Sequence, residues 1–253
     1  MTSFLLAGTF GAQLDVWFSG FDYSIFQFFG NMQNYILTII AKGFTAMGST
    51  MYVAMFAVLG LILCFFRRTR KVGFAVVFAV IIGTLLTNVL IKPWALRIRP
   101  YNTLQGNAAY WSWYVGAGML SESDYCFPSG HTTGATEIAI ALMLCHLSSK
   151  RKRAKAFFWV FPLVAILVGA SRVYLMVHYP TDIIGGFIIG IVAGVCGYFL
   201  SKAVCLIFKK DRTPEALAAK KKNLRGGAIL MLILVWLCMF GLSFYQVLTS
   251  GGE

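Results

Sequence analysis

Residues 126–133 read Cys-Phe-Pro-Ser-Gly-His-Thr-Thr, and an apolar run opens directly behind them. Pro128 resists helix before it, Ser129 is suited to an N-cap, and Gly130 lets backbone approach a ligand closely. His131 then falls on the first turn of an apolar helix, beside unpaired backbone N–H groups that favour an anion. A Pro-Ser-Gly-His tetrapeptide alone is weak evidence, so its neighbours decide the reading. Upstream stands Lys92-Pro93-Trp94-Ala95-Leu96-Arg97-Ile98-Arg99-Pro100. Downstream stand Ser171 and Arg172, then His178 after five intervening residues and Asp182 after three more. The three stretches together read as a phosphate site at one membrane face.

Of the 253 residues, 58% are hydrophobic and only 12% charged, against about 25% charged in an ordinary soluble domain. The apolar excess falls in blocks long enough to cross roughly 30 Å of hydrocarbon. The expected fold is therefore an all-α integral membrane protein, a six-helix transmembrane bundle with spans at 43–66, 72–91, 131–149, 156–177, 181–201 and 226–248. Residues 18–41 are aromatic and aliphatic but broken by Asp22, Gln27, Asn31, Gln33 and Asn34. They suit an additional N-terminal helix, interfacial or spanning. The expected division is an N-terminal interfacial segment at 1–48, a transmembrane core at 49–208, a basic cytoplasmic loop at 209–225 and an extra C-terminal helix at 226–253.

A net charge of +13 would point to nucleic acid in a soluble chain. Here 17 of the 22 basic residues cluster near 67–71, 150–155 and 202–225, all on one side when the spans alternate. That side is cytoplasmic by the positive-inside rule, and no nucleic-acid partner is expected. Lys92, Arg97, Arg99 and Arg172 fall at or near the opposite face, where few cations are expected, and an anionic ligand on the extracytoplasmic side accounts for them. The six cysteines show no metal-ligand spacing, and Cys126 reads as a packing residue. Arg97 reads as a lipid headgroup contact, and the aromatics of the 92–127 loop as an interfacial belt.

The residue types assign the chemistry. Arginine forks match phosphate oxygens, and lysine adds a compact charge, so Lys92, Arg99 and Arg172 would neutralise a phosphoryl group. His178 precedes a helix start at Pro180, which brings the Asp182 carboxylate within reach of its ring to fix the tautomer. The other ring nitrogen is then free to attack phosphorus, while His131 protonates the leaving oxygen and later activates water. The pattern calls for no metal and no cofactor.

Lys-x6-Arg-Pro, Pro-Ser-Gly-His and Ser-Arg-x5-His-x3-Asp, in this order, resemble the type 2 phosphatidic acid phosphatase superfamily. The resemblance covers Lys92 to Asp182 without a substitution in the three motifs. It implies His178 as nucleophile, Asp182 as its partner, His131 as general acid, and Lys92, Arg99, Ser129, Gly130 and Arg172 as phosphate ligands. It also implies a membrane lipid substrate: undecaprenyl diphosphate, phosphatidylglycerol phosphate or phosphatidic acid. The alternatives are an envelope glycolipid (lipid A-type) phosphatase and, from another class, an anion-binding transporter. A transporter needs a polar path through the bundle, whereas the polar groups here gather at one face. Glu137 fits no motif; six residues from His131, it is about 240° around the helix and is expected to face elsewhere.

Overall fold

The computed structural model describes residues 8–148 and 158–207. The basic stretch at 150–155, the basic segment from 208 to 225, the 226–248 span and Cys238 lie outside them. The regular structure of the described residues is all helical, without strands: α1 (Phe10–Asn31), α2 (Tyr35–Met47), α3 (Thr50–Cys64) and α4 (Arg70–Thr84) come first. A π-helical stretch, Leu85–Ile91, carries α4 into the short α5 (Lys92–Ala95). Then follow α6 (Pro100–Thr103), α7 (Ala108–Gly116), α8 (Gly130–Leu147), α9 (Val160–Tyr174) and α10 (Pro180–Ile207).

Among the described residues two runs are long and apolar enough to cross a bilayer, Arg70–Thr103 and Pro180–Leu206. The pair α2 and α3, bent by 42° at their junction, is apolar and long enough together for a broken span or a re-entrant loop, and α9 is apolar but only 15 residues long. The continuous span expected at 43–66 is thus interrupted at Gly48 and Ser49, where α2 ends and α3 begins. The expected helix over 18–41 is likewise two helices. Asn34 ends the continuity: its side chain accepts from the Leu37 N–H at 2.9 Å and caps α2, as a short polar side chain favours.

The helix starts follow local chemistry. Ser129 caps α8 by accepting from the Thr132 N–H, and Pro180 opens α10, where its missing N–H costs nothing. α10 is the central packing element, lying against α4 and α8. Its contact with α8 is a stripe of Gly186, Gly190 and Gly194 facing Thr132, Thr136 and Ile140, where a Cβ would collide with the facing chain. Small residues at four-residue spacing permit this close approach inside a membrane. It fixes the start of α8 beside the start of α10, so His131 and Asp182 share one end of the bundle.

The aromatic 92–127 loop is not a uniform interfacial belt. Trp94 is exposed, but Tyr101, Tyr110 and Tyr114 are buried in the core with Phe26 and Tyr179. Their hydroxyls reach backbone: Tyr110 donates to the Met176 carbonyl at 2.5 Å, Tyr114 to Leu120 at 2.8 Å and Tyr101 to Glu122 at 2.8 Å. Buried tyrosine requires such partners. Here they brace the two loops that carry the polar site.

Candidate active site

His178 lies in the turn between α9 and α10, fully buried. Its Nδ1 is 3.2 Å from Asp182 Oδ2, and its Nε2 is 3.1 Å from Arg99 Nη1. Arginine only donates, so Nε2 is the acceptor and Nδ1 carries the proton toward Asp182. That leaves the Nε2 lone pair facing the loop cations. Burial first, then the charges of Arg99, Arg172 and Lys92, hold the imidazole well below the ordinary histidine range. His178 should therefore stay neutral through about pH 6.5. With three histidines in the chain, NMR with His178→Ala for assignment can follow it. Titration at the ordinary histidine value would contradict this. The folded ring also refuses a proton that the unfolded one accepts, so stability falls as the pH drops below about 6.5.

Asp182 is held from every side. Its Oδ2 also accepts from the Tyr179 N–H at 2.9 Å and the Cys126 thiol at 2.7 Å. Cys126 is thus not a bystander: its sulfur lies 3.3 Å from His178 Nδ1. Burial and the Asp182 charge raise the thiol well above its usual value, which keeps it a donor. Asp182 Oδ1 accepts from Arg97 Nη1 at 2.6 Å.

Arg97 corrects the sequence reading most sharply. It is fully buried rather than in contact with headgroups, and it stacks on the Tyr179 ring at 3.8 Å. Besides Asp182 it binds Asp22 Oδ2 at 2.9 Å, Asp15 Oδ1 at 2.8 Å and Thr181 Oγ1 at 2.7 Å. Leu96, at φ 51°, ends α5 and turns the chain between Lys92 and Arg97. Asp15 and Asp22 are seven residues apart on α1, hence on one helix face. That spacing, in a helix otherwise rich in aromatics, is the signal that could have found them.

Beyond Nε2 lies the cation cluster. Lys92, Arg99 and Arg172 are all buried, and each meets a carboxylate from the loop before α8. Lys92 pairs with Asp124, Arg99 with both Asp124 and Glu122, and Arg172 with Glu122 at 2.5 Å. Burial opposes ionisation of Asp124, but Lys92 and Arg99 win and hold its carboxyl below the usual range. Glu122 stands 3.9 Å from His131 Nδ1 and 3.9 Å from His178 Nε2. Neither acid was expected in the site from sequence.

The remaining expected ligands divide. Gly130 lines the cavity beside Lys92 and His131. Ser129 is engaged elsewhere: its Oγ meets the Thr132 N–H and hydroxyl, and its own N–H donates to the Asp182 carbonyl at 3.1 Å. It ties α8 to α10. The N-terminal helices contribute too, since Arg172 Nη1 donates to Thr45 Oγ1 at 2.8 Å. Among the described residues, Cys126, His178 and Asp182 are close enough to share a metal ion. The same atoms are hydrogen-bonded to one another, and Arg97 and Arg99 beside them disfavour an added cation.

Comparison with known proteins follows the same outline. A family model described as the PAP2 superfamily matches residues 72–206. Phosphatidylglycerophosphatase B of Bacillus subtilis is 31% identical over 160 residues, which is 61% of this chain and 70% of that protein. Undecaprenyl-diphosphatase of Sulfolobus acidocaldarius is 32% identical over 133 residues, 51% of this chain and 55% of that protein. The crystal structure of a transmembrane PAP2 type phosphatidylglycerolphosphate phosphatase from Bacillus subtilis superposes with a TM-score of 0.59 at 25% identity. It covers 80% of this chain and 94% of that one.

Proposed function

Because the chain belongs to the PAP2 superfamily, we propose that it is a membrane lipid phosphatase that works through a phosphohistidine on His178, at the extracytoplasmic face. One observation carries the reading. The Glu122 carboxylate is gripped by Arg99 and Arg172 and is equidistant, at 3.9 Å, from His178 Nε2 and His131 Nδ1. A phosphoryl group entering between the two histidines takes that place and those two arginines, with Lys92 at its side.

In the first step the His178 Nε2 lone pair attacks phosphorus and the bond to the leaving oxygen breaks. The negative charge of the bound phosphoryl group favours a protonated His131, which gives that oxygen its proton. Asp182 holds the Nδ1 proton throughout and stabilises the positive ring, while Arg97 and Cys126 keep Asp182 in place. In the second step His131 takes a proton from water, the hydroxide attacks phosphorus, and the N–P bond breaks to release phosphate. Arg99, Arg172 and Lys92 are aimed at the charge that shifts in both steps.

The substrate class is a lipid phosphate or diphosphate: phosphatidylglycerol phosphate, undecaprenyl diphosphate, phosphatidic acid or a phosphorylated envelope glycolipid. Phosphate release from these four in detergent ranks them, and no release from any of them by folded protein overturns the reading. Glu122 is then a built-in competitor of the substrate. Glu122→Gln removes its negative charge, so inorganic phosphate should inhibit about tenfold more tightly, a change of ~1.4 kcal/mol. Unchanged or weaker inhibition would make Glu122 a positioning group instead.

A further inference from the structure

Glu137 stands six positions beyond His131 on α8, a descent of about 9 Å along the helix. Glu137 is 1% exposed, and its Oε2 has no hydrogen-bond partner among the described residues. Thr87, on the π-helical stretch of α4, is also 1% exposed with an unpartnered hydroxyl. Both line one cavity of about 850 Å³ between α3, α4 and α8, whose walls also include Lys92, Glu122 and His131. Glu137 therefore does not face away from the site; it closes the deep end of the same space. An ionisable side chain inside a membrane is costly and usually has a task.

The backbone makes room for this arrangement. Gly83 faces Glu137, and a Cβ there would overlap its carboxylate. The π stretch hydrogen-bonds Lys92 N–H to the Thr87 carbonyl, so Thr87 and Lys92 stand one wide turn apart. Such π segments recur at functional sites.

The contents of the cavity can be read from its ends. The volume suits a whole headgroup rather than a phosphate alone. A second phosphate at the deep end would find no cation among the lining residues there, only uncharged polar and apolar groups and a buried carboxyl that does not hold a charge without a partner. A hydrocarbon chain there would leave Glu137 and Thr87 unpaired, which is expensive in a dry setting. Hydroxyl groups satisfy both, exchanging hydrogen bonds with the carboxyl of Glu137 and the hydroxyl of Thr87.

We propose that this cavity is the leaving-group site, that it takes a hydroxyl-bearing headgroup such as a sugar or polyol, and that Glu137 is its specificity-determining acceptor. The inference rests on the phosphatase reading and narrows its substrate class. The test compares kcat/KM for an alkyl glucoside phosphate with that for the alkyl phosphate of equal chain length. The native protein should prefer the glucoside phosphate by about tenfold or more, the scale of a buried polar group left unsatisfied. Glu137→Leu should abolish that preference, the near-isosteric Glu137→Gln should keep part of it, and Thr87→Val should reduce it. No preference in the native protein overturns the inference, as does an equal loss on both substrates in Glu137→Gln and Thr87→Val. Should Glu137→Leu fail to fold, the native ratio and these two gentler variants still decide. Turnover of neither compound by folded protein, with other lipid phosphates cleaved, overturns the inference alone; turnover of no phosphate ester overturns the phosphatase reading and the inference with it.

Discussion

His178→Ala is expected to lower phosphate release by about 10⁴-fold or more, the scale of losing a nucleophile that acts as part of a unit. The magnitude follows from what the variant retains. Arg99, Arg172, Lys92 and His131 still bind and polarise a phosphoryl group, so KM should change far less than kcat. Water has no prepared base on the His178 side, because Asp182 is turned toward Arg97 and the Tyr179 N–H. The measurement is release from phosphatidylglycerol phosphate in detergent with EDTA, alongside a melting curve to show that the variant folds. A variant that folds and still turns over within tenfold of native would remove His178 from the chemistry.

The second large effect is expected at Arg97. This side chain binds no substrate; it acts through Asp182. Arg97→Met leaves Asp22 and Asp182 buried without their cation, and breaking a buried charge network of this kind costs about 3–5 kcal/mol. Activity should fall as well, because an unanchored Asp182 no longer fixes the His178 tautomer, an effect worth up to ~10⁴-fold in the analogous triad aspartate. Arg97→Lys keeps one charge but loses the fork that reaches three carboxylates, so it should fall between native and Arg97→Met in both melting temperature and kcat. KM for inorganic phosphate release should shift little, which separates a positioning role from a binding one. Full activity in a folded Arg97→Lys variant would show that Asp182 needs no such anchor.

What the sequence made legible was whatever depends on local order. The Ser129 cap, the Pro180 helix start and the four-residue reach from His178 to Asp182 are properties of short segments, and all three stand in the structure. Arg97 was misread because its partners come from α1 and α10, 82 and 85 residues away in sequence. Nothing in its own neighbourhood distinguishes a buried arginine from one that reaches headgroups. Glu122 and Asp124 were missed for a related reason: a loop acid reads as solvated until the fold sets it against Arg99 and Arg172. Cys126 carries no local signal either, and Glu137 stands out only as an ionisable group in an apolar helix, with nothing local to say that it faces the site. The cysteine becomes part of the site only when α10 brings Asp182 to it, and the glutamate only when Gly83 opens a cavity beside it. Helix count suffered from breaks: a glycine–serine step and an asparagine cap divide apolar runs that composition alone joins.

A covalent phosphoryl group on His178 is the central expectation. Alkali-quenched single turnover with a labelled lipid phosphate, followed by mass analysis of the peptide holding His178, addresses it directly. The histidine mechanism predicts an alkali-stable, acid-labile phosphoryl group on that residue, accumulating further in His131→Ala when the leaving group needs no proton. Turnover by native protein with label on no residue, under conditions that preserve phosphohistidine, would mean that water attacks phosphorus directly and would contradict it.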